Sequence, residues 1–271
     1  MDSSLAKGVK NQLFRELSDE VDVVIKDYLK YCEASKFSSS RIKWQKFCDG
    51  IGDVFGSFLL ARYDGGSKRK PFLCLATFEN ENRQFNSWNE NCISSMLIYF
   101  GQNPLWIETL SLGFSISEHA IQRVFERSYN EDLVLKKELK RVLFSYDLIY
   151  APLWSAFWTM VAFKSFESAQ VTHIKIIIPG QHGLFLGDVH ESKPLRCEIR
   201  TFVAKSQLGK RQLELMVMMT EISLKYSDSI IPFILNPKLI QQQIYRQQID
   251  EFIAQAQGVI KLVNEEYSGS N

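Results

Sequence analysis

Residues 115–127 read Ser-Ile-Ser-Glu-His-Ala-Ile-Gln-Arg-Val-Phe-Glu-Arg. His119, Arg123 and Arg127 recur four residues apart, so on a helix they share one stripe. Ile121, Val124 and Phe125 fall on the opposite side and can face a core. An imidazole beside two guanidinium groups suits phosphodiester chemistry. The imidazole can take a proton as general base, and the planar cations can hold phosphate oxygens and stabilise charge on pentacoordinate phosphorus. Read as spacing alone, the same stripe is also what a solvated helix face looks like.

A second segment, Leu195–Val203, alternates as a strand does. Arg196, Glu198 and Arg200 point one way, and Cys197, Ile199, Thr201 and Val203 the other. Packed beside the His119 helix, this strand would bring Arg200 as a third cation. Thr201 would offer its hydroxyl to a phosphate if the strand bends there. The remaining histidines, His173, His182 and His190, lie on or beside the meander, and three histidines with a carboxylate such as Asp188 would suit zinc. They lack the short spacings of zinc sites, so neither a metal nor a cofactor is expected. Gly180-Gln181-His182-Gly183 reads as a turn and not as a phosphate-cradling loop, because no helix start follows it.

The elements that must position these residues can be read from periodicity. Ser117 can N-cap a helix running through Arg127. Helices are expected at Val9–Ala34, Arg41–Asp49, Cys92–Phe100, Glu131–Phe144, Leu153–Phe166, Gln207–Lys225 and Lys238–Glu265, with Pro232 and Pro237 breaking the chain between the last two. Strands are expected at Leu105–Phe114 and, as an antiparallel meander, at His173–Pro179, Gly183–Asp188 and Leu195–Ala204. Ser57–Tyr63 and Pro71–Phe78 form an early hairpin around Asp64-Gly65-Gly66, with a basic tip at Lys68–Lys70. The expected class is α+β: mainly helical, with a small antiparallel sheet in the C-terminal half and a hairpin in the N-terminal part. A soft boundary near residue 104 separates an accessory region (1–104) from an α+β region carrying the site (105–271); a single continuous domain is the other reading.

Composition bounds the function. The 271 residues hold 32 basic and 31 acidic side chains, and 45% are hydrophobic, which excludes both extensive disorder and nucleic-acid binding by bulk charge. Five cysteines without a metal or disulfide spacing point to reduced thiols in a cytoplasmic protein. The most apolar window, Leu148–Phe163, is too short to cross a bilayer and is interrupted by Pro152, so no membrane partner is expected. The Gln241–Gln248 stretch, with Ile240, Ile244 and Ile249, suits packing against a partner helix as well as against its own domain.

The Ser-x-His-Ala-x-x-Arg-x-x-x-Arg helix, followed by Gly183–Gly187 and by Arg200-Thr201-Phe202, resembles the metal-independent bacterial toxin ribonucleases of the barnase, colicin and RelE type. The resemblance covers residues 115–204. It implies a helix packed on a short meander, His119 as acid/base, Arg123, Arg127 and Arg200 as phosphate ligands with Thr201 beside them, and RNA as substrate. It departs from such toxins in the long apolar insert, Glu131–Gln170, and in the larger, near-neutral chain. The alternative is a non-enzymatic interaction or regulatory subunit acting through protein contacts, with an exposed apolar patch or a tight oligomer. A protein partner or inhibitor suits both readings, and the oligomeric state is left open.

Overall fold

A computed structural model describes residues 1–15, 59–63, 72–81, 91–101, 106–129, 147–168, 171–191, 195–235 and 243–268, with a few isolated positions between them. The expected helices Arg41–Asp49 and Glu131–Phe144, the basic hairpin tip and most of Val9–Ala34 lie outside the described residues. So do residues 236–242, with Pro237.

The protein is α+β, and helices make up the larger part of its described regular structure. One mixed sheet of seven strands has the order β1-β2-β3-β4-β7-β6-β5. The strands are β1 (Leu59–Tyr63), β2 (Phe72–Glu81), β3 (Cys92–Gly101), β4 (Trp106–Ser117), β5 (His173–Pro179), β6 (Gly183–His190) and β7 (Cys197–Ala204). The antiparallel pair β1–β2 and the meander β5–β6–β7 form where they are expected. They belong to one sheet, because β4 pairs in parallel with β7 at Phe114–Cys197, Ser115–Glu198 and Ile116–Ile199. The sheet runs across residue 104 without a break, since β3 pairs with β4 on either side of it.

Cys92–Phe100, expected as a helix, is strand β3. Its run of Cys, Ile, Ser, Met, Leu, Tyr and Phe carries no charge, and such a run fits a buried helix or an interior strand equally well. Pairing with both neighbours decides it: β3 is hydrogen-bonded to β2 over ten register pairs and to β4 on its other edge. In β4, Gly113 has φ 79°, a left-handed conformation that glycine adopts without steric cost. It lies where the β3–β4 register shifts.

Among the described residues there are five longer helices. These are α1 (residues 3–15), α2 (Glu118–Ser128), α3 (Ala151–Ser168), α4 (Lys210–Leu235) and α5 (Gln243–Ser268). Helix α4 starts three residues later than expected, after a short 3-10 turn at Lys205–Gln207, and continues through Pro232 to Leu235. Helix α3 is apolar on nearly all sides because it lies between two layers. Trp158 donates its indole N–H to the Ile177 carbonyl in β5 at 2.6 Å, while Trp154 donates to Ser223 Oγ in α4 at 2.8 Å and stacks edge-on to Phe252 in α5. Both tryptophans are buried and each has its polar atom satisfied, so truncating either to alanine would cost about 3–5 kcal/mol. One continuous apolar cluster joins α1, α2, α3, the inner strands, α4 and α5. Among the described residues, no helix is long and apolar enough to cross a membrane.

Candidate functional site

Helix α2 begins where β4 ends. The Ser117 hydroxyl accepts from the Ala120 N–H at 3.1 Å, which is the expected N-cap, and donates to the Arg200 carbonyl oxygen of β7 at 3.0 Å. Ala120, Ile121, Val124 and Phe125 are buried, so the opposite stripe faces outward. His119 is exposed and Arg123 is partly exposed. Arg123 Nε donates to His119 Nε2 at 3.5 Å, a long contact that a substrate can replace, and Arg123 Nη1 pairs with Glu126 Oε2 at 2.8 Å. Arg127 Nη1 donates to the Phe202 carbonyl oxygen. Burial, with the like charge of Arg123, lowers the Arg127 pKa against the opposing pull of Glu126. The spacing thus brings His119, Arg123 and Arg127 onto one stripe, as expected. The helix is fastened to β7 at two carbonyls, Arg200 and Phe202, with Thr201 between them.

The strand departs from simple alternation at this point. Ile199 pairs with Gly187 and Thr201 with Leu186, so Arg200 is an extra, bulged residue. Burial accordingly passes from Cys197 and Ile199 to Phe202 and Ala204, and Thr201 is half-buried. The strand therefore bends beside Thr201. The Arg200 guanidinium goes to the meander and not to the helix stripe: Nε meets Asp188 Oδ2 at 2.8 Å and Nη2 lies 2.9 Å from His190 Nε2. Asp188 also takes Lys175 Nζ at 2.9 Å, and Glu198 lies 3.7 Å from Arg196 Nε and 4.0 Å from His190 Nε2. His173 stacks on His190 across the β5–β6 pair. These residues form a ladder of alternating charge, and no group of His, Cys, Asp or Glu among the described residues is arranged to hold a metal ion.

His182 stands apart from that ladder, in a cluster that spacing does not announce. Its Nδ1 lies 3.1 Å from Asp147 Oδ1, and its backbone N–H donates to the same oxygen at 3.3 Å. The buried Tyr129, just past the end of α2, donates its hydroxyl to Asp147 Oδ2. Asp147 is fully buried, while the His182 side chain is 34% exposed. The hydrogen bond to Asp147 raises the His182 pKa; burial opposes this and the Asp147 charge adds to it. Nothing in the sequence links three residues drawn from separate segments, and the one local hint is the glycine-flanked turn. Gly180 packs against Asp147 so closely that a Cβ there would lie 2.9 Å from the Asp147 carbonyl oxygen.

The chain matches no protein-family model, no curated protein and no solved structure.

The exposed stripe of α2 offers one imidazole, one guanidinium in contact with it and a second one turn further on. The strand beside it offers a bend and a hydroxyl. Cys197, close by on β7, is not a nucleophile: burial pushes its thiol up to about 12, and the Thr159 and Ser155 contacts only partly offset that.

Proposed function

We propose that the chain is a metal-independent endoribonuclease-type effector or toxin that acts on RNA in the cytoplasm. The observation that supports this best is the contact of exposed His119 with Arg123 on a helix whose two ties to β7 bracket Thr201. In this reading His119 Nε2 takes the proton of a 2′-hydroxyl and the 2′-oxygen attacks phosphorus. The bond to the 5′-oxygen breaks, a 2′,3′-cyclic phosphate forms, and water at the exposed site returns a proton to the leaving oxygen. Arg123 and Arg127 hold the phosphate oxygens as charge accumulates, and the Thr201 hydroxyl orients them. Arg123 uses two of its five donors within the protein and Arg127 one, so both keep others for phosphate. Arg200, whose guanidinium is tied to Asp188 and His190, takes no part in this step. Reduced thiols such as the buried Cys92 and Cys197 suit a cytoplasmic setting.

The test is cleavage of a mixed-sequence RNA in the presence of a chelator, beside the same sequence with 2′-deoxy residues. Cleavage of the RNA alone, lost by about 100-fold or more in His119→Ala with the fold intact, is the expected result. Cleavage that survives His119→Ala, or no cleavage of any RNA by the purified chain, refutes the proposal.

A second reading, an interaction or regulatory subunit, is favoured by a different observation. Ile149 (48%), Val217 (49%) and Leu224 (65%) are exposed apolar side chains, and the first two line a groove of about 450 Å³ with Tyr150 and Met216. Under that reading His119→Ala changes nothing, while Val217→Asp with Leu224→Asp abolishes an association measured by light scattering.

A further inference from the structure

The α2 stripe is flanked on one side by the N-terminal helix α1. Glu126 is nine-tenths buried. Its Oε1 accepts from Ser3 Oγ at 2.7 Å and from Gln122 Nε2 at 2.9 Å, and its Oε2 accepts from Arg123 Nη1 at 2.8 Å. The Met1 nitrogen donates to the Glu126 carbonyl oxygen at 3.1 Å. At the other end of α2, Lys10 Nζ pairs with Glu118 Oε2 at 3.2 Å, with only 8% of the Lys10 side chain exposed. The pairs Ser3–Glu126 and Lys10–Glu118 run in opposite directions along the two helices. Seven residues of α1 and eight of α2 rise by about 10.5 and 12 Å, so the two spans match. Helix α1 thus lies antiparallel to α2 and is pinned to it at both ends.

We infer that Glu126, fixed by Ser3, is a positioning residue for the Arg123–His119 pair; this rests on the ribonuclease reading of the same stripe. A guanidinium is rigid and planar, so holding Nη1 on Glu126 fixes the direction in which Nε meets His119. The carboxylate must be charged to do this. Burial pushes its pKa up, but the hydrogen bonds from Gln122 and Ser3 and the Arg123 cation outweigh burial and hold it below its ordinary value. An ordinary pair three residues apart on a helix surface is exposed and mobile. Here the carboxylate is covered while Arg123 stays partly exposed, and the carboxylate is held by side chains of two helices. Glu126 acts through Arg123, and the first turn of α1 holds Glu126 in place.

The experiment uses the full chain labelled with nitrogen-15 and follows the Arg123 Nε–H signal and its exchange with water. Glu126→Gln should speed that exchange about fivefold or more, because Nη1 then keeps only a neutral hydrogen bond, weaker by about 1 kcal/mol, and the guanidinium that carries Nε loses its anchor. Ser3→Ala should speed it less, and Ser3→Thr, which keeps a hydroxyl, should restore it. In the same variants kcat for RNA should fall about tenfold in Glu126→Gln with KM within about twofold, because the loss is of transition-state alignment. An unchanged Arg123 Nε–H signal in folded Glu126→Gln overturns the inference, and so does equal exchange in Ser3→Ala and Ser3→Thr, which stands if Glu126→Gln fails to fold. A wild-type chain inert towards RNA whose Arg123 signal still responds to Glu126→Gln sinks the ribonuclease reading and leaves Glu126 as the group that orients Arg123.

Discussion

Gly183→Ala is the sharpest test of how the meander is built. Gly183 opens β6 opposite Ala204, next to His182 and beside the strand that carries Arg200 and Thr201. A Cβ on Gly183 would lie 2.1 Å from the Val203 carbonyl oxygen, 2.7 Å from the tip of the Phe202 ring and 2.9 Å from Ala204 Cα. The ring can swing aside, but the two backbone atoms cannot. A carbon needs about 3.3 Å from a carbonyl oxygen, so the strands must part by about 1.2 Å. That weakens one or two ladder hydrogen bonds at about 1 kcal/mol each. It also disturbs the Phe185–Phe202 ring pair, whose centroids are 4.9 Å apart, and adds overpacking of about 1–3 kcal/mol. The total is about 2–5 kcal/mol, or about 10 °C in Tm for a chain of this size. Gly8→Ala is the control. Gly8 lies within helix α1 with nothing within 4 Å of an added Cβ, so the same substitution should stabilise by about 0.5–1 kcal/mol. Thermal melts followed by circular dichroism read both. A Gly183→Ala Tm within about 2 °C of wild type would refute the close approach of β6 to β7.

Three further outcomes follow from the site. The raised His182 pKa means that its bond to Asp147 contributes stability fully below the ordinary value of 6.5, and that this contribution is lost as pH rises through the folded-state value; urea titrations across that range should show the decline, and Asp147→Asn should flatten it. Cys197 should resist alkylation at pH 8 in the folded protein and react once unfolded, as peptide mapping of that cysteine will show, because its thiol is buried and pushed up to about 12. Ser117→Ala should cost about 1–2 kcal/mol in a denaturant titration, since it removes the cap of α2 and a tie to β7, and under the proposed ribonuclease reading it should reduce RNA cleavage as well; a loss of stability with cleavage unchanged would detach the helix cap from the site.

Helix α2 was legible because its signals are local. Ser117, the four-residue spacing of His119, Arg123 and Arg127, and the buried set Ile121, Val124 and Phe125 all lie within one short stretch. The meander was legible for the same reason, since each of its strands is bounded by turn residues. What escaped depends on partners far along the chain. Strand β3 looks like a helix until β2 and β4 flank it. The bulge at Arg200 follows from the pairing of β7 with β6, and it sends the guanidinium to Asp188 and His190 instead of to His119. Asp147, His182 and Tyr129 meet only in the folded chain. The tie from Ser3 to Glu126 crosses 123 residues, so an N-terminal stretch that reads as accessory turns out to touch the site's own helix.

The parallel junction of β4 and β7 has a consequence for the order of folding. Its last tie, from Ser117 to Arg200, joins residues 83 apart, while each half of the sheet is stitched internally by hairpins. Such long closures form after local pairings. Helix α2 and the Thr201 bend stand on opposite sides of that junction. A chain with either half folded alone therefore holds the imidazole or the bent strand, but not both. The candidate site is assembled only at the closing step, when β4 and β7 pair.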